Sequence, residues 1–258
     1  MIYGVDRKDM NKIAHIFDGW EETLLWSCLQ GYMGNAYTNS IEKPISAQII
    51  IGDFCFFAGI PDTELVRNIP NYFSSDCILM IPENKEWETL IEEEYKDKAN
   101  KSMRYAIKKD PNIFNRDKLS GNIKRLSYEY SIKRIDEEIY NKIKNIKSLN
   151  DLCSQFSAYS EFEKYGLGFV ILHDKNPIAG ASSYTVYDEG IEIEIDTLKD
   201  YRRQGLALVC ASKLILECLD REIYPSWDAA NKASLALAEK LGYQFDREYV
   251  TYEITNFR

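Results

Sequence analysis

At 258 residues and 45% hydrophobic content, the chain can bury a core as one large domain or two small ones. No run approaches the ~20 apolar residues of a membrane-spanning helix. Residues 1–20 carry Asp6, Arg7, Lys8, Asp9, Lys12 and Asp18 where a signal peptide would be apolar, so a cytoplasmic protein with no membrane partner is expected. A net charge of −9 argues against a nucleic-acid partner, which needs a basic face, and fits a cationic acceptor better.

Residues 1–118 read as a first α/β region. Residues 13–29 are helical segments broken at Gly19, and residues 48–57 are two apolar runs around Gly52-Asp53, a hairpin signature. A short helix at 63–66, a buried strand at 77–81, a charged amphipathic helix at 85–98 and a strand at 102–107 follow. This order loosely echoes that of the remaining chain. It fits a degenerate duplicate of the second half and equally an independent module serving as a substrate platform or a homodimer surface. The polar run 108–122, with Pro111 and Gly121, reads as the linker and sets the division between 118 and 119.

In the second region Leu126, Tyr128, Tyr130 and Ile132 alternate with polar residues as a strand. Ile135, Ile139, Ile143 and Ile146 mark one amphipathic helix; Leu149, Leu152, Cys153 and Phe156 mark another. Three strands follow at 169–173, 178–187 and 191–197, the last alternating Ile191, Ile193 and Ile195 with Glu192, Glu194 and Asp196. Next come Arg202-Arg203-Gln204-Gly205-Leu206-Ala207 and an apolar helix to Leu219. A strand at 222–227 and a helix carrying Ala233, Leu237 and Leu241, closed by Gly242, lead to a final strand at 245–254. A glycine and arginines just before a helix offer backbone N–H groups and positive charge to a phosphate. The six cysteines, Cys28, Cys55, Cys77, Cys153, Cys210 and Cys218, have no metal-ligand spacing and sit mostly in apolar runs. His15 and His173 form no paired motif, so reduced core thiols and no metal are expected.

The segment from Ile191 to Tyr243 resembles the core of the GNAT superfamily of acyl-CoA N-acyltransferases. That family's pyrophosphate loop, Arg/Gln-x-x-Gly-x-Gly/Ala, is matched by Arg202, Gly205 and Ala207. Its second signature is similar to Asn231 followed by Glu239-Lys240-Leu241-Gly242-Tyr243. The resemblance covers the chain from about residue 120 onward. It implies a mixed α/β GNAT-like acyltransferase fold for residues 119–258 and acetyl-CoA-dependent transfer to a primary amine. The runs 224–228 and 237–243 are also similar to a bacterial GNAT subfamily containing an antibiotic self-resistance acetyltransferase, which implies a small-molecule acceptor. Two rivals remain: a non-catalytic acyl-CoA-binding or sensing protein, and a tandem-GNAT aminoacyl transferase, against which the acidic charge weighs.

The same resemblance implies roles. N–H groups of Arg203, Gln204, Gly205, Leu206, Ala207 and Leu208 would face the pyrophosphate beside Arg202, unless the arginines are simply solvated. Backbone groups of Thr197, Leu198 and Lys199 would run along the pantetheine arm, with the Leu198 N–H as oxyanion donor. Asn231 would meet the arm, cap its helix, or both. A base must take a proton from the ammonium; Glu192 and Glu194 are the candidates on the face they share with Asp196, unless that face is merely solvated. The family's usual thiolate-protonating Tyr is Ala238 here. Ser234 or Tyr243 would substitute, or the thiolate would leave unassisted; Tyr243 also reads as a core aromatic. The acceptor pocket is expected around residues 135–165, walled by the N-terminal half with Tyr32, Tyr37 or Phe57 as cation contacts.

Overall fold

The computed structural model describes residues 1–73 and 75–257, and the chain divides into two compact units, Met1–Arg104 with Glu248–Arg258, and Tyr105–Arg247. The first contains β1 (Tyr3–Val5), α1 (Asn11–Ala14), α2 (Thr23–Leu29), β2 (Asn35–Thr38), β3 (Ser46–Ile51), β4 (Phe54–Gly59), α3 (Thr63–Arg67), β5 (Cys77–Pro82) and α4 (Lys85–Tyr95). β6 (Ala99–Ile107) carries the chain across the boundary. In the second are α5 (Arg116–Ile123), β7 (Tyr130–Arg134), α6 (Glu137–Lys144), α7 (Tyr159–Tyr165), β8 (Gly168–His173), β9 (Asn176–Tyr187), β10 (Gly190–Thr197), α8 (Leu206–Asp220), β11 (Tyr224–Ser226), β12 (Asp228–Ala229) and α9 (Lys232–Leu241). β13 (Phe245–Thr255) returns the chain to the first unit. Among the described residues no helix is long and apolar enough to cross a membrane.

The two units repeat one plan. β1 to β4 form an antiparallel meander, and β5 joins β4 in parallel after the crossover helix α3. β7 to β10 form the same meander, and β11 joins β10 in parallel after α8. The fold is a mixed α/β GNAT-like one, and the order read as an echo in the sequence is a repeat of the same element string. β5 takes its antiparallel partner from the far end of the chain, where Tyr252, Ile254 and their neighbours pair with residues 77–80.

α4 shows how local sequence feeds the core of the first unit. Asn84 accepts the N–H groups of Glu86 and Trp87, starting the helix, and Trp87 and Ile91, four residues apart, both point inward. Trp87 stacks on Phe57 with centroids 5.2 Å apart and donates its indole N–H to the Gly59 carbonyl at 2.9 Å. Each such buried side chain contributes roughly 1.5–3 kcal/mol. Phe57, offered above as a cation contact, is fully buried in this cluster with Leu65, Ile78, Met80, Tyr252 and Ile254, and is core. Tyr37 is half-buried, its hydroxyl 3.0 Å from that of Tyr72.

Three readings of the second half need correction. Residues 116–122 of the expected linker belong to helix α5. Asn115 caps it by accepting the Lys118 N–H, and Leu119 and Asn122 are buried, with Asn122 bonded to Ser212 of α8 at 3.1 Å. The first strand begins at Tyr130, leaving Tyr128 fully exposed. Leu149, Leu152, Cys153 and Phe156 are buried as their spacing implied, but in an irregular segment holding one 3-10 turn, Asn150–Leu152; the helix proper is α7. Residue spacing reports burial more reliably than it separates a helix from a packed loop.

Candidate active site

β10 ends in a 3-10 turn, Lys199–Tyr201, and the chain then swings into α8 through two left-handed residues, Arg203 at φ 64° and Gly205 at φ 82°. Gly205 is the N-cap of α8 and supplies no capping side chain; a Cβ built there would have no heavy atom within 4 Å. The N–H groups of Leu206, Ala207 and Leu208 therefore open onto free space at the positive end of a 15-residue helix. Leu206 is buried and anchors the turn, while Lys199, Arg202, Arg203 and Gln204 are exposed around it. Arg202 donates from Nε to the Thr197 carbonyl at 3.1 Å, laying its guanidinium along the end of β10. Gln204 accepts from the Tyr130 hydroxyl at 3.0 Å. A cavity of about 300 Å³ borders this turn, lined in part by Arg125, Tyr130, Gln204 and Gly205.

The corresponding junction of the first unit is closed. Gly59 also has φ 82°, but its Cβ would lie 2.2 Å from the Ile45 carbonyl oxygen. The Asp62 carboxylate accepts the N–H groups of Glu64 at 2.8 Å and Leu65 at 3.4 Å, so the start of the five-residue α3 already holds an anion of its own.

The β10–β11 ladder covers only residues 190–192, and β10 continues beyond it to Thr197. Leu198 N–H donates to the Ile178 carbonyl at 2.9 Å, so it points into the sheet and not toward a ligand. The oxyanion role expected of Leu198 is corrected on this ground. Alternation along an antiparallel strand turns the opposite set outward, the N–H groups of Ile195 and Thr197. Glu194 accepts the Ile195 N–H at 3.0 Å, and Thr197 Oγ1 is buried without a hydrogen-bond partner.

The three acids do share a face. Cross-strand neighbours lie on the same side of a sheet, and Glu194 is opposite Ser182 while Asp196 is opposite Gly180. The Ser182 hydroxyl donates to the Leu152 carbonyl, and a Cβ on Gly180 would meet Leu152 Cδ1 at 2.5 Å, so the 3-10 turn lies directly on this face. β9 carries one extra residue, Tyr184, which keeps Thr185 opposite Glu192. Burial separates the acids: Glu192 is 4% exposed between Thr185 and Ser226, both buried, whereas Glu194 and Asp196 are half-buried. Burial raises the Asp196 carboxyl from 3.8 to about 6; nearby Asp151 adds to the rise and Arg202 opposes it.

On α9, Asn231 accepts the N–H groups of Ala233 and Ser234, both at 3.0 Å, so it does cap the helix; the cap leaves its NH₂ uninvolved. Ser234 Oγ accepts the Trp227 indole N–H at 3.1 Å and retains its own proton for donation. Tyr243 is corrected to core: its hydroxyl donates to the Pro225 carbonyl, and burial, with Tyr224, Cys218 and Glu192 nearby, holds the phenol well above its usual range. Ala238 is fully buried. Within residues 135–165 a cavity of about 360 Å³ is lined by Asp136, Tyr159, Phe162 and Glu163 beside Arg134. All six cysteines carry free thiols, five of them buried, and among the described residues no three His, Cys, Asp or Glu side chains converge as a metal site. Asp196, Asp151 and the Ile195 N–H were not singled out from the sequence. Asp196 had a signal in the alternating run; Asp151 had none.

A family model described as GNAT acetyltransferase matches residues 14–252, so the likeness takes in both units and not only residues 119–258. A protein of Bacillus subtilis strain 168 described as the uncharacterized N-acetyltransferase YdfB is 30% identical over 183 residues, 69% of this chain and 67% of that protein. The crystal structure of a GCN5-related N-acetyltransferase-like protein from Streptococcus suis is 41% identical with a TM-score of 0.91, over 96% of this chain and 98% of that one. A tandem GNAT protein from the clavulanic acid biosynthesis pathway shares the fold at 10% identity and a TM-score of 0.57, over 99% and 98% of the two chains.

Proposed function

Because the chain belongs to the GNAT acetyltransferase family, we propose that it transfers the acetyl group of acetyl-CoA to a primary amine of a small molecule. The observation that carries this reading is the open N-terminus of α8, with left-handed Gly205 as its cap and Arg202 and Arg203 beside it. Residues 203–208 supply the backbone N–H groups for a pyrophosphate, and the outward N–H of Thr197 supplies an edge group with which an extended arm can pair. The acid face of β10 receives the ammonium and takes its proton as the amine attacks the thioester carbon. The nitrogen gives its other departing proton to solvent, the carbon–sulfur bond breaks, and the Ser234 hydroxyl can pass a proton to the departing sulfur while regaining one from solvent. A small acceptor of net positive charge suits a face of three carboxylates.

A second reading, a non-catalytic acyl-CoA-binding protein, is favoured by buried Ala238 where the family pattern carries a Tyr. Calorimetric titration with acetyl-CoA followed by thiol release across a panel of primary amines separates the two. Binding with turnover is expected; binding without turnover across a wide panel selects the second reading. Gly205→Val, checked for folding by circular dichroism, should lose acetyl-CoA binding, because a branched side chain would fill the phosphate's place. Near wild-type affinity in that variant would overturn the donor site.

A further inference from the structure

We propose that Asp196 is the group that takes the acceptor's proton, and that Asp151 is a positioning residue which tunes it from the 3-10 turn facing β10. The proposal rests on the acetyl-transfer reading above. Two contacts without slack hold the turn on the sheet: the Ser182 hydroxyl bond to the Leu152 carbonyl, and the Leu152 methyl over Gly180, where no side chain would fit. Gly180 is the cross-strand partner of Asp196, so the residue before Leu152, Asp151, is delivered beside Asp196. Asp196 immediately precedes Thr197, whose carbonyl is held by Arg202, and so stands where the donor loop begins.

The other two acids are less suited. Glu192 is 4% exposed and lies beyond the reach of a diffusing amine, and Glu194 is bonded to the Ile195 N–H. The charges that act on Asp196 come from few elements. Asp151 faces it from the turn, Arg202 from the loop, and Glu194 lies two residues away on its own strand. Across the strand pair β9 presents Gly180, which has no side chain, opposite Asp196. A carboxyl raised to about 6 is mostly ionised at neutral pH yet close enough to it to exchange protons readily.

The step balances. The ammonium first gives one proton to solvent; as the resulting amine nitrogen bonds to the thioester carbon it becomes strongly acidic, and the Asp196 carboxylate takes a second proton from it. The carbon–sulfur bond breaks, the thiolate takes up a proton, and Asp196 releases its own to solvent, leaving amide, free thiol and one proton from ammonium and thioester.

The test uses the full chain. Aspartate carboxyls labelled with carbon-13 are titrated by NMR in wild type, Asp151→Asn and Asp196→Asn, the last assigning the Asp196 resonance. Thiol release from acetyl-CoA is followed against pH with methylamine, spermidine and glucosamine as probe amines. Asp196→Asn should bind acetyl-CoA as wild type does, lose about 10²-fold in kcat/KM and lose the acidic limb of its pH profile. In Asp151→Asn both the Asp196 resonance and that limb should move to lower pH, a shift that a merely structural role would not produce. An Asp196 carboxyl titrating in the ordinary range, an unmoved resonance in Asp151→Asn, or an acidic limb surviving in Asp196→Asn overturns the assignment. Wild type that fails to bind acetyl-CoA would instead sink the acetyl-transfer reading. Where acetyl-CoA binds but no probe amine reacts, the NMR titration alone decides.

Discussion

Gly59 and Gly205 have the same φ, 82°, and opposite surroundings, so they separate backbone strain from steric exclusion. Gly205→Ala should cost about 1 kcal/mol, the penalty of a left-handed residue with room for its methyl. Gly59→Ala should cost several times more, because its methyl would sit on the Ile45 carbonyl; urea unfolding of the two variants checks the contrast. Asp196 carries a second consequence. Its carboxyl is raised from 3.8 when unfolded to about 6 when folded, so its contribution to stability is intact below the unfolded value and is lost as pH climbs through 6. Asp196→Asn should therefore stabilise the protein at pH 7–8 by on the order of 2 kcal/mol, with the gain fading by pH 4. Denaturation midpoints measured across that range test the sign, and a gain that is larger in acid would contradict it. At Asn231, Ser preserves the cap and removes the amide. Asn231→Ser should keep the melting temperature but bind acetyl-CoA several-fold more weakly, whereas Asn231→Ala should also lose about 1 kcal/mol of stability.

The starts of α3 and α8 occupy the same place in the repeated element string and differ in what sits at their N–H groups. In α3 the Asp62 carboxylate is already there; in α8 the cap is a glycine and the space is open. Copying the first arrangement into the second gives a direct test. Gly205→Asp should fold, since Asp tolerates left-handed backbone better than most residues, yet should weaken acetyl-CoA binding by more than ~10-fold through like-charge repulsion. Raised salt should return part of that loss. Calorimetry at two ionic strengths reads both effects; affinity unchanged from wild type would mean that no anion is held at this helix end.

The chain cannot be cut at its apparent linker. The expected division at 118/119 falls inside the second unit, within α5, and residues 248–258 belong with the first. Tyr252 and Ile254 are fully buried there, and their strand pairs with β5. Removing residues 248–258 should therefore expose the edge of β5 and two large core positions, with loss of cooperative melting in the first unit and aggregation on heating. A fragment of residues 119–258 should likewise be poorly soluble, because it carries an apolar strand without its partner. A soluble fragment with a sharp melt would contradict the placement of β13.

Much of the site was legible in residue order because its determinants are local. The alternation of Ile191 to Thr197, the glycine turn at 205 and the apolar run of α8 each depend on neighbours a few residues away, and together they located the strand, left-handed turn and helix start proposed as the donor loop. The repeated element string was also visible, though faintly, since helix and strand periods survive after loop residues have diverged. What only the tertiary structure decided depends on partners remote in sequence. Strand register with Ile178 turned the Leu198 N–H inward and the Ile195 and Thr197 groups outward. Packing of a 3-10 turn over Gly180 brought Asp151 to Asp196 across 45 residues of chain. A hydrogen bond to Pro225 withdrew Tyr243 into the core, and pairing with β5 gave the last strand to the first unit. Local periodicity states which faces are apolar or charged; which face meets which partner is a matter of register and packing, and those are properties of the folded chain.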